Sequence, residues 1–462
     1  MRRLLLSSAL LMGALAVASR ADALPVLPGA AGFGMDTAAG RGGTVYRVTN
    51  LNTSGAGSLK ACIDGTGPRV CVFETSGAIK LSSDLIIRND FITIAGQTAP
   101  SPGIMLRGAA LKITASNVLV QHLRVRVGDD SVGPDFDNRD ALKIEGTTTR
   151  PARNIVIDHC SFSWAVDETV SLWGVYDNVT LSDNIFAEAL NESLHPDYDG
   201  VGVIPHGYGV ILGSSRDSSV TMVRNLFGHT VERNPLSRAS QLVFVNNVVY
   251  NRSKRDLDLQ SDGTTPTLNT ALRNTFIRGP SYTGDQSPIY VRTGGSLGLG
   301  QGSRVYQSGN ITVDYARELV TLTAGSTISG LLSLDGYPTW NGGLQIINTG
   351  NNLAVDTVLA RAGARPADRD TADKRVVSNV RNRNGQIINC VASNGTTRCA
   401  KNAGGWPSVA VNRRALTLPS NPNTVTSSGY TNLELWLHSM DGSISGTTQS
   451  SSPASPLSLT VN

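Results

Sequence analysis

Short strings in which apolar and polar positions alternate recur along the middle of this chain. Asn154-Ile-Val-Ile-Asp-His-Cys-Ser-Phe162 is rewritten 24 residues on as Asn178-Val-Thr-Leu-Ser-Asp-Asn184-Ile-Phe186. Ser219-Val-Thr-Met-Val-Arg-Asn225-Leu-Phe227 follows after a further 41, and Gln241-Leu-Val-Phe-Val-Asn-Asn247-Val-Val249 after 22 more. Weaker copies begin at Asn117 and near Leu268. A period of two with β-branched residues predicts strands. Self-similarity in the low twenties predicts a solenoid, in which each repeat buries its apolar face against its neighbours. The asparagine at the seventh place (184, 225, 247, 274) suits an amide ladder at an inward bend. The expected fold is all-β, a right-handed parallel β-helix with a long lateral groove.

The same patterning divides the chain. Residues 1–23, with Arg2-Arg3, the apolar run Leu4 to Val17 and Ala21-Asp22-Ala23, read as a secretory signal peptide, placing the mature chain in the periplasm or outside the cell. Residues 24–80 read as an N-terminal cap, with a strand from Thr44 to Thr49 and a short helix N-capped by Ser58. Residues 81–349 hold the β-helix, its coils running to about Thr323, and 350–442 a helical and irregular segment packed outside it; 443–462 read as a flexible tail. The repeat is broken by two insertions, Asp129–Asn138 and Asn191–Gly207. Long loops on a rigid scaffold are where function tends to sit.

Composition adds little and excludes much. High Gly (48) and few aromatics (5%) suit tight-turned coils. Losing Arg2, Arg3, Arg20 and Asp22 with the leader lowers the formal net charge from +4 to +2, too mild for a nucleic-acid partner. No later segment is apolar for long enough to span a membrane, and a monomer is expected. Cys62 with Cys71 and Cys390 with Cys399 flank short turns and read as disulfides, with unlinked thiols as the alternative. Cys160 falls in the asparagine column and reads as a buried free thiol.

Candidate chemistry lies just before consecutive strands. Asp140 and Asp167 are 27 residues apart, about one coil, so they should stack on one face. Paired carboxylates repel unless neutralised, and a hard divalent cation such as Ca²⁺ does this best; read alone, they are equally two solvated turn residues. One coil on comes the strand Tyr208–Leu212. Arg233-Asn-Pro-Leu-Ser-Arg238 then offers two arginines around a proline, an anion clamp or, alone, two solubilising side chains.

The order Asp140, Asp158-His-Cys-Ser-Phe-Ser163, Asp167, Arg233-x-Pro-x-x-Arg238 and Asn246-Asn-Val-Val-Tyr250 resembles the pectate lyases of polysaccharide lyase family one over roughly residues 30–260. Gly96-Gln-Thr-Ala-Pro100, Ser163-Trp-Ala-Val-Asp-Glu168 and Gly404-Gly-Trp-Pro407 look like a bacterial secreted subgroup. The resemblance implies calcium-assisted β-elimination on a 1,4-linked uronan, pectate or polygalacturonate first. By position it implies Asp140 and Asp167 as metal ligands, Arg233 as base and Arg238 as the clamp on a substrate carboxylate. Two positions depart from the family. Its acidic ligand four residues after Asp167 is Ser171 here, so Glu168 or a loop residue would have to compensate. Its groove lysine is absent, and its place falls near Tyr208; both losses leave room for another acidic glycan. His195 and His206 bracket the second insertion, where either would contact sugar or assist proton transfer, or simply decorate a surface loop.

Two other readings share this fold. A polygalacturonase-like hydrolase would need paired carboxylates with one kept protonated, which Asp129-Asp130 offers only superficially. A non-catalytic glycan-binding β-helix would bind without turnover.

Overall fold

The computed structural model describes residues 24–444 apart from 198, 284–286, 293, 315–318 and 321–350. The leader and the tail beyond 444 therefore lie outside the described residues.

The predicted strings are strands, and each pairs in parallel with the copy one coil away. Ile155–Asp158 lies against Val179–Ser182, which lies against Val220–Val223, which lies against Leu242–Val245. Three strand faces result. One carries these repeats, and one is a 10-stranded sheet that includes Ser161–Ser163, Ile185–Ala187 and Leu226–Gly228. The third runs through Leu142–Gly146, Glu168–Gly174 and the start of the long strand Tyr208–Val223. Tyr208–Val223 and Leu236–Val245 turn the corner between the first and third faces without a break, so both faces count as one 16-stranded sheet. The molecule is a parallel β-helix.

Its interior is a set of ladders, because each coil repeats the last one strand spacing, about 4.8 Å, along the axis. Phe162, Phe186, Phe227 and Phe244 form a ring column with centroids 5.8, 5.1 and 5.8 Å apart. At the inward bend the asparagine ladder forms. Asn184 Nδ2 donates to Asn225 Oδ1, Asn225 to Asn247, Asn247 to Asn274, and Asn274 on to Asn310, at 3.1, 2.9, 3.1 and 2.8 Å. Each amide also satisfies a backbone carbonyl, as Asn247 does that of Met222. Cys160 tops the column with its own N–H on Asn184 Oδ1 and is fully buried and unlinked. Asn247→Ala should orphan the buried N–H of Asn225, its amide and the Met222 carbonyl together, lowering stability by about 3 kcal/mol. Equilibrium denaturant unfolding checks this.

The ends hold departures from expectation. Ser58 does N-cap the helix Leu59–Asp64, accepting from the Ala61 N–H. However, the strands Thr44–Val48, Arg69–Phe73 and Gly77–Lys80 already belong to the sheets, so the boundary at 80 has no counterpart in the strand pairing. At the other end the last parallel pairing among the described residues is at Ile311–Val313, against which Leu319–Val320 lies antiparallel; the rest of the expected β-helix, from 321 to 349, lies outside the described residues. Both disulfides, Cys62–Cys71 and Cys390–Cys399, are present.

The helices Asn351–Arg361, Thr371–Asn382 and Asn432–Ile444 pack outside the solenoid. Charge explains the docking of the second. Arg124 and Arg126 project from an otherwise apolar strand and are fully buried. Arg126 Nη2 reaches Asp370 at 3.0 Å and Asp373 at 2.8 Å. Removing either partner would strand a buried charge. No described helix is long and apolar enough to cross a membrane.

Candidate active site

The third face gathers most of the predicted residues. Leu142 pairs with Val170, so two residues earlier Asp140 stands beside Glu168, not beside Asp167. Glu168 pairs with Tyr208. Ile211 pairs with Leu236, which three residues back brings Arg233 beside Tyr208. The row therefore reads Asp140, Glu168, Tyr208, Arg233, with Asp167 at its edge. The expected stacking of Asp140 on Asp167 is corrected by one residue, because the turn between them is one residue longer than the spacing of 27 allows for. The carboxylates still converge: Asp140, Asp167 and Glu168 each bring an oxygen within 4.8 Å of the others.

Local backbone positions the arginine. Arg233 has φ 64°, the left-handed region that costs a non-glycine residue about 1 kcal/mol. It is pinned there by Val210 N–H on its carbonyl at 2.6 Å and Gly209 N–H on Glu232 at 2.9 Å. Gly209 is required at this approach, since a Cβ would lie 2.4 Å from the Arg233 carbonyl oxygen. The guanidinium then sits 4.2 Å over the Tyr208 ring and is ion-paired to Glu168. Burial pulls its pKa down to about 10, with Asp167 opposing and Arg238 assisting.

The carboxylates are not equivalent. Asp140 is buried; it accepts from the Glu168 N–H at 3.2 Å and from the Ser171 hydroxyl. Burial, then the charge of Asp167, pushes its pKa up to about 8. Asp167 is half-buried. Burial pushes it up too, but the polar contacts and positive charge of His195 and His206 outweigh this and hold it below the usual range. The Ser171 hydroxyl thus serves Asp140 as a hydrogen-bond donor.

The second insertion delivers the histidines. Ile204 N–H to the His195 carbonyl (3.0 Å) and His206 N–H to the Asn191 carbonyl (2.8 Å) close it into a narrow two-armed loop. His195 and His206 stack with centroids 4.0 Å apart, and His206 lies 3.8 Å from the Tyr208 ring. Their Nε2 atoms lie 3.7 and 2.9 Å from Asp167 Oδ1. Both histidines therefore face the acidic cluster instead of decorating the surface. Within the same insertion Asp199 accepts the Val201 N–H and serves a turn. The first insertion wraps its carbonyls around the buried Arg139 and ties Asp130 to Arg107, so Asp129-Asp130 is no free acid pair.

Arg238 is one coil corner away, with Nε on Gln260 Oε1 at 3.2 Å. Gln260 in turn donates to Asp258, which pairs with Arg255 at 3.1 Å. Sequence reasoning missed this Arg255–Asp258–Gln260–Arg238 row. Its one signal is Leu257-Asp-Leu-Gln260 arriving a coil after Leu236.

No family profile matches the chain. A probable pectate lyase C of Neosartorya fischeri is 31% identical over 463 residues, spanning 94% of this chain and 98% of the relative. The chain belongs to the pectate lyase family. Membership makes it a polysaccharide lyase. A probable pectate lyase C of Aspergillus terreus is 30% identical across 91% of this chain and 94% of that protein. A pectate lyase of Nicotiana tabacum is 26% identical across 47% and 55%. Among solved structures, the major allergen of cedar pollen superposes with a TM-score of 0.49 at 18% identity, covering 71% of this chain and 90% of the allergen. In this pectate lyase-family chain the acidic row and its arginine lie side by side on the third face.

Proposed function

We propose that the chain cleaves a 1,4-linked uronan, pectate first, by calcium-assisted β-elimination. The observation that carries this is the row itself: three carboxylates within 4.8 Å of one another beside a partly buried guanidinium. The residues fit calcium. Their donors are oxygens, the hard ligands it takes, and the upward push on Asp140 by Asp167 is the repulsion a divalent cation relieves. Asp140, Asp167 and Glu168 would hold the ion, and bound calcium supplies positive charge that acidifies the uronate C5 proton and stabilises the resulting enolate-like charge.

The chain's own residues do the rest. In its neutral form Arg233, partly buried and stacked on Tyr208, takes the C5 proton on a guanidine nitrogen. The C5 electron pair forms the C4–C5 double bond as the glycosidic oxygen departs from C4 and takes a proton from solvent. Arg233 is ion-paired to Glu168, which favours its charged form; with Glu168 engaged by a cation that bias would be relieved. Arg238, fixed by Gln260, pairs with a substrate carboxylate. His195 borders the acidic end, where it would contact a sugar hydroxyl, while the ring nitrogens of His206 behind it are buried. The three subgroup strings support a bacterial secreted relative, although the Neosartorya, Aspergillus and Nicotiana relatives are fungal and plant proteins. The leader-like residues 1–23 support export. A monomer acting on an acidic polysaccharide fits the mild net charge.

Incubating the purified chain with polygalacturonate should release unsaturated, ultraviolet-absorbing ends in calcium and none in chelator. Saturated reducing ends would instead establish a hydrolase, and binding without turnover a glycan-binding module. Arg238→Ala should raise KM about 10–100-fold with a smaller change in kcat, because it removes a charge-assisted contact made before and during the reaction. Initial-rate kinetics on the same polymer checks it.

A further inference from the structure

Asp167, His195 and His206 form a second constellation, with one donor atom from each within 4.8 Å of the others. We propose that it is a binding site for a borderline divalent metal such as zinc, separate in chemistry from the all-oxygen cluster beside it.

Three observations converge on it. First, His195 Nδ1 lies 2.8 Å from the Pro196 carbonyl oxygen, which can only accept. The Nδ1 therefore carries the proton, and in the neutral ring Nε2 presents a lone pair toward Asp167. That is the tautomer-fixing arrangement metal-ligating histidines use. Second, His206 is 94% buried (6% exposed), yet neither of its ring nitrogens has a hydrogen-bond partner among the described residues. Its Nε2 is 2.9 Å from Asp167 Oδ1 but off the line of the ring N–H. A buried imidazole that meets the Asp167 and Glu168 carboxylates without a well-aligned hydrogen bond is incompletely satisfied. A cation accepting the Nε2 lone pair would satisfy it. Third, the spacings suit one small ion. Ligand atoms about 2.1 Å from a zinc ion stand roughly 3–3.5 Å from each other, and the two nitrogens here lie 3.7 and 2.9 Å from the shared carboxylate oxygen.

Two imidazoles and one carboxylate select zinc over calcium, which takes oxygen ligands. The rings now lie parallel, at 1°, and would tilt to aim both lone pairs at one ion. Both histidines come from the insertion and Asp167 from the scaffold, so the metal would tie loop to coil. Asp167 belongs to both clusters and would be shared between them. Zinc binding here does not depend on the lyase mechanism, since these three residues would hold the ion in a chain that cleaved nothing.

The test uses the untagged chain and zinc alone, without polysaccharide, in equilibrium dialysis. One equivalent should bind, at least 10-fold more weakly in His195→Ala and in His206→Gln. Cobalt in place of zinc should give the visible absorption of a nitrogen-containing site. In wild type, zinc should protect His195 and His206 from carbethoxylation read by mass spectrometry, a measurement that needs no variant to fold. Absence of binding, unchanged binding in both variants, or modification of both histidines at an unaltered rate would each overturn the proposal. Zinc binding without unsaturated product would count against the lyase mechanism and leave this site standing; product without zinc binding would do the reverse.

Discussion

Arg233→Lys should form unsaturated product about 10³-fold more slowly than wild type, with the loss in kcat and little change in KM. The size is that of a positioned proton-transfer group removed from an otherwise intact site. Lysine keeps the positive charge that faces Glu168, so no buried carboxylate is stranded. It lacks the planar fork that both stacks on Tyr208 and reaches Glu168. A thermal midpoint near wild type would show that the fold survives. The pH profile is the sharper readout. With the Arg233 pKa pulled down to about 10, the neutral fraction in wild type grows about tenfold per pH unit below that value. kcat/KM should therefore climb with a slope near one from neutral pH and flatten near 10. A profile flat between pH 7 and 9, or a Lys variant with wild-type kcat, would remove Arg233 as the base.

The fold was legible because a solenoid writes one structural rule many times. A single Asn247 is uninformative, but the same amide at 184, 225 and 274 marks one bend of successive coils, and the structure carries that column on to Asn310. The site was legible in membership more than in geometry. Asp140, Asp167, Glu168, Arg233 and Tyr208 do meet, yet the in-line partner of Asp140 is Glu168. Spacing measures residues per coil, and turn length can shift by one without disturbing the strands, so register was beyond its reach. The pairing of Glu168 with Arg233 was hidden for a similar reason: 65 residues and one loop insertion separate them. The histidines carried a signal only in flanking the insertion. That both imidazoles turn inward depends on the loop closing through His206 N–H on Asn191, which no periodicity encodes. The docking of residues 370–373 on Arg124 and Arg126 was equally invisible, because two arginines in a strand read as outward-facing until a partner covers them.

Asp140→Asn should separate stability from activity. In chelator the wild-type carboxyl is buried against Asp167, and its folded pKa of about 8 stands above the unfolded value near 4. A raised folded pKa means the native state holds a proton that the unfolded chain has already released. This group's contribution is thus fully present below about pH 4 and is lost as pH rises toward 8. The slope can reach about 1.4 kcal/mol per pH unit for one proton. Asp167, held low by its histidines, acts in the opposite sense, but its window lies below the usual carboxylate value and outside this range. Metal-free wild type should therefore melt at progressively lower temperature between pH 5 and 8, and calcium should restore the loss at the upper end by favouring the ionised form. The substituted amide cannot ionise, and its oxygen can still accept from Ser171 and the Glu168 N–H. The variant should show a flatter pH dependence in chelator, match or exceed wild-type stability at pH 8, and gain little from calcium. Its turnover should nevertheless fall by about 10²-fold or more, because a ligand to the charge that stabilises the transition state is gone. Scanning calorimetry across pH, with and without calcium, beside product assays decides it: a variant less stable than metal-free wild type at pH 8, with calcium still protective, would show that Asp140 is a structural hydrogen-bond acceptor and no part of a cation site.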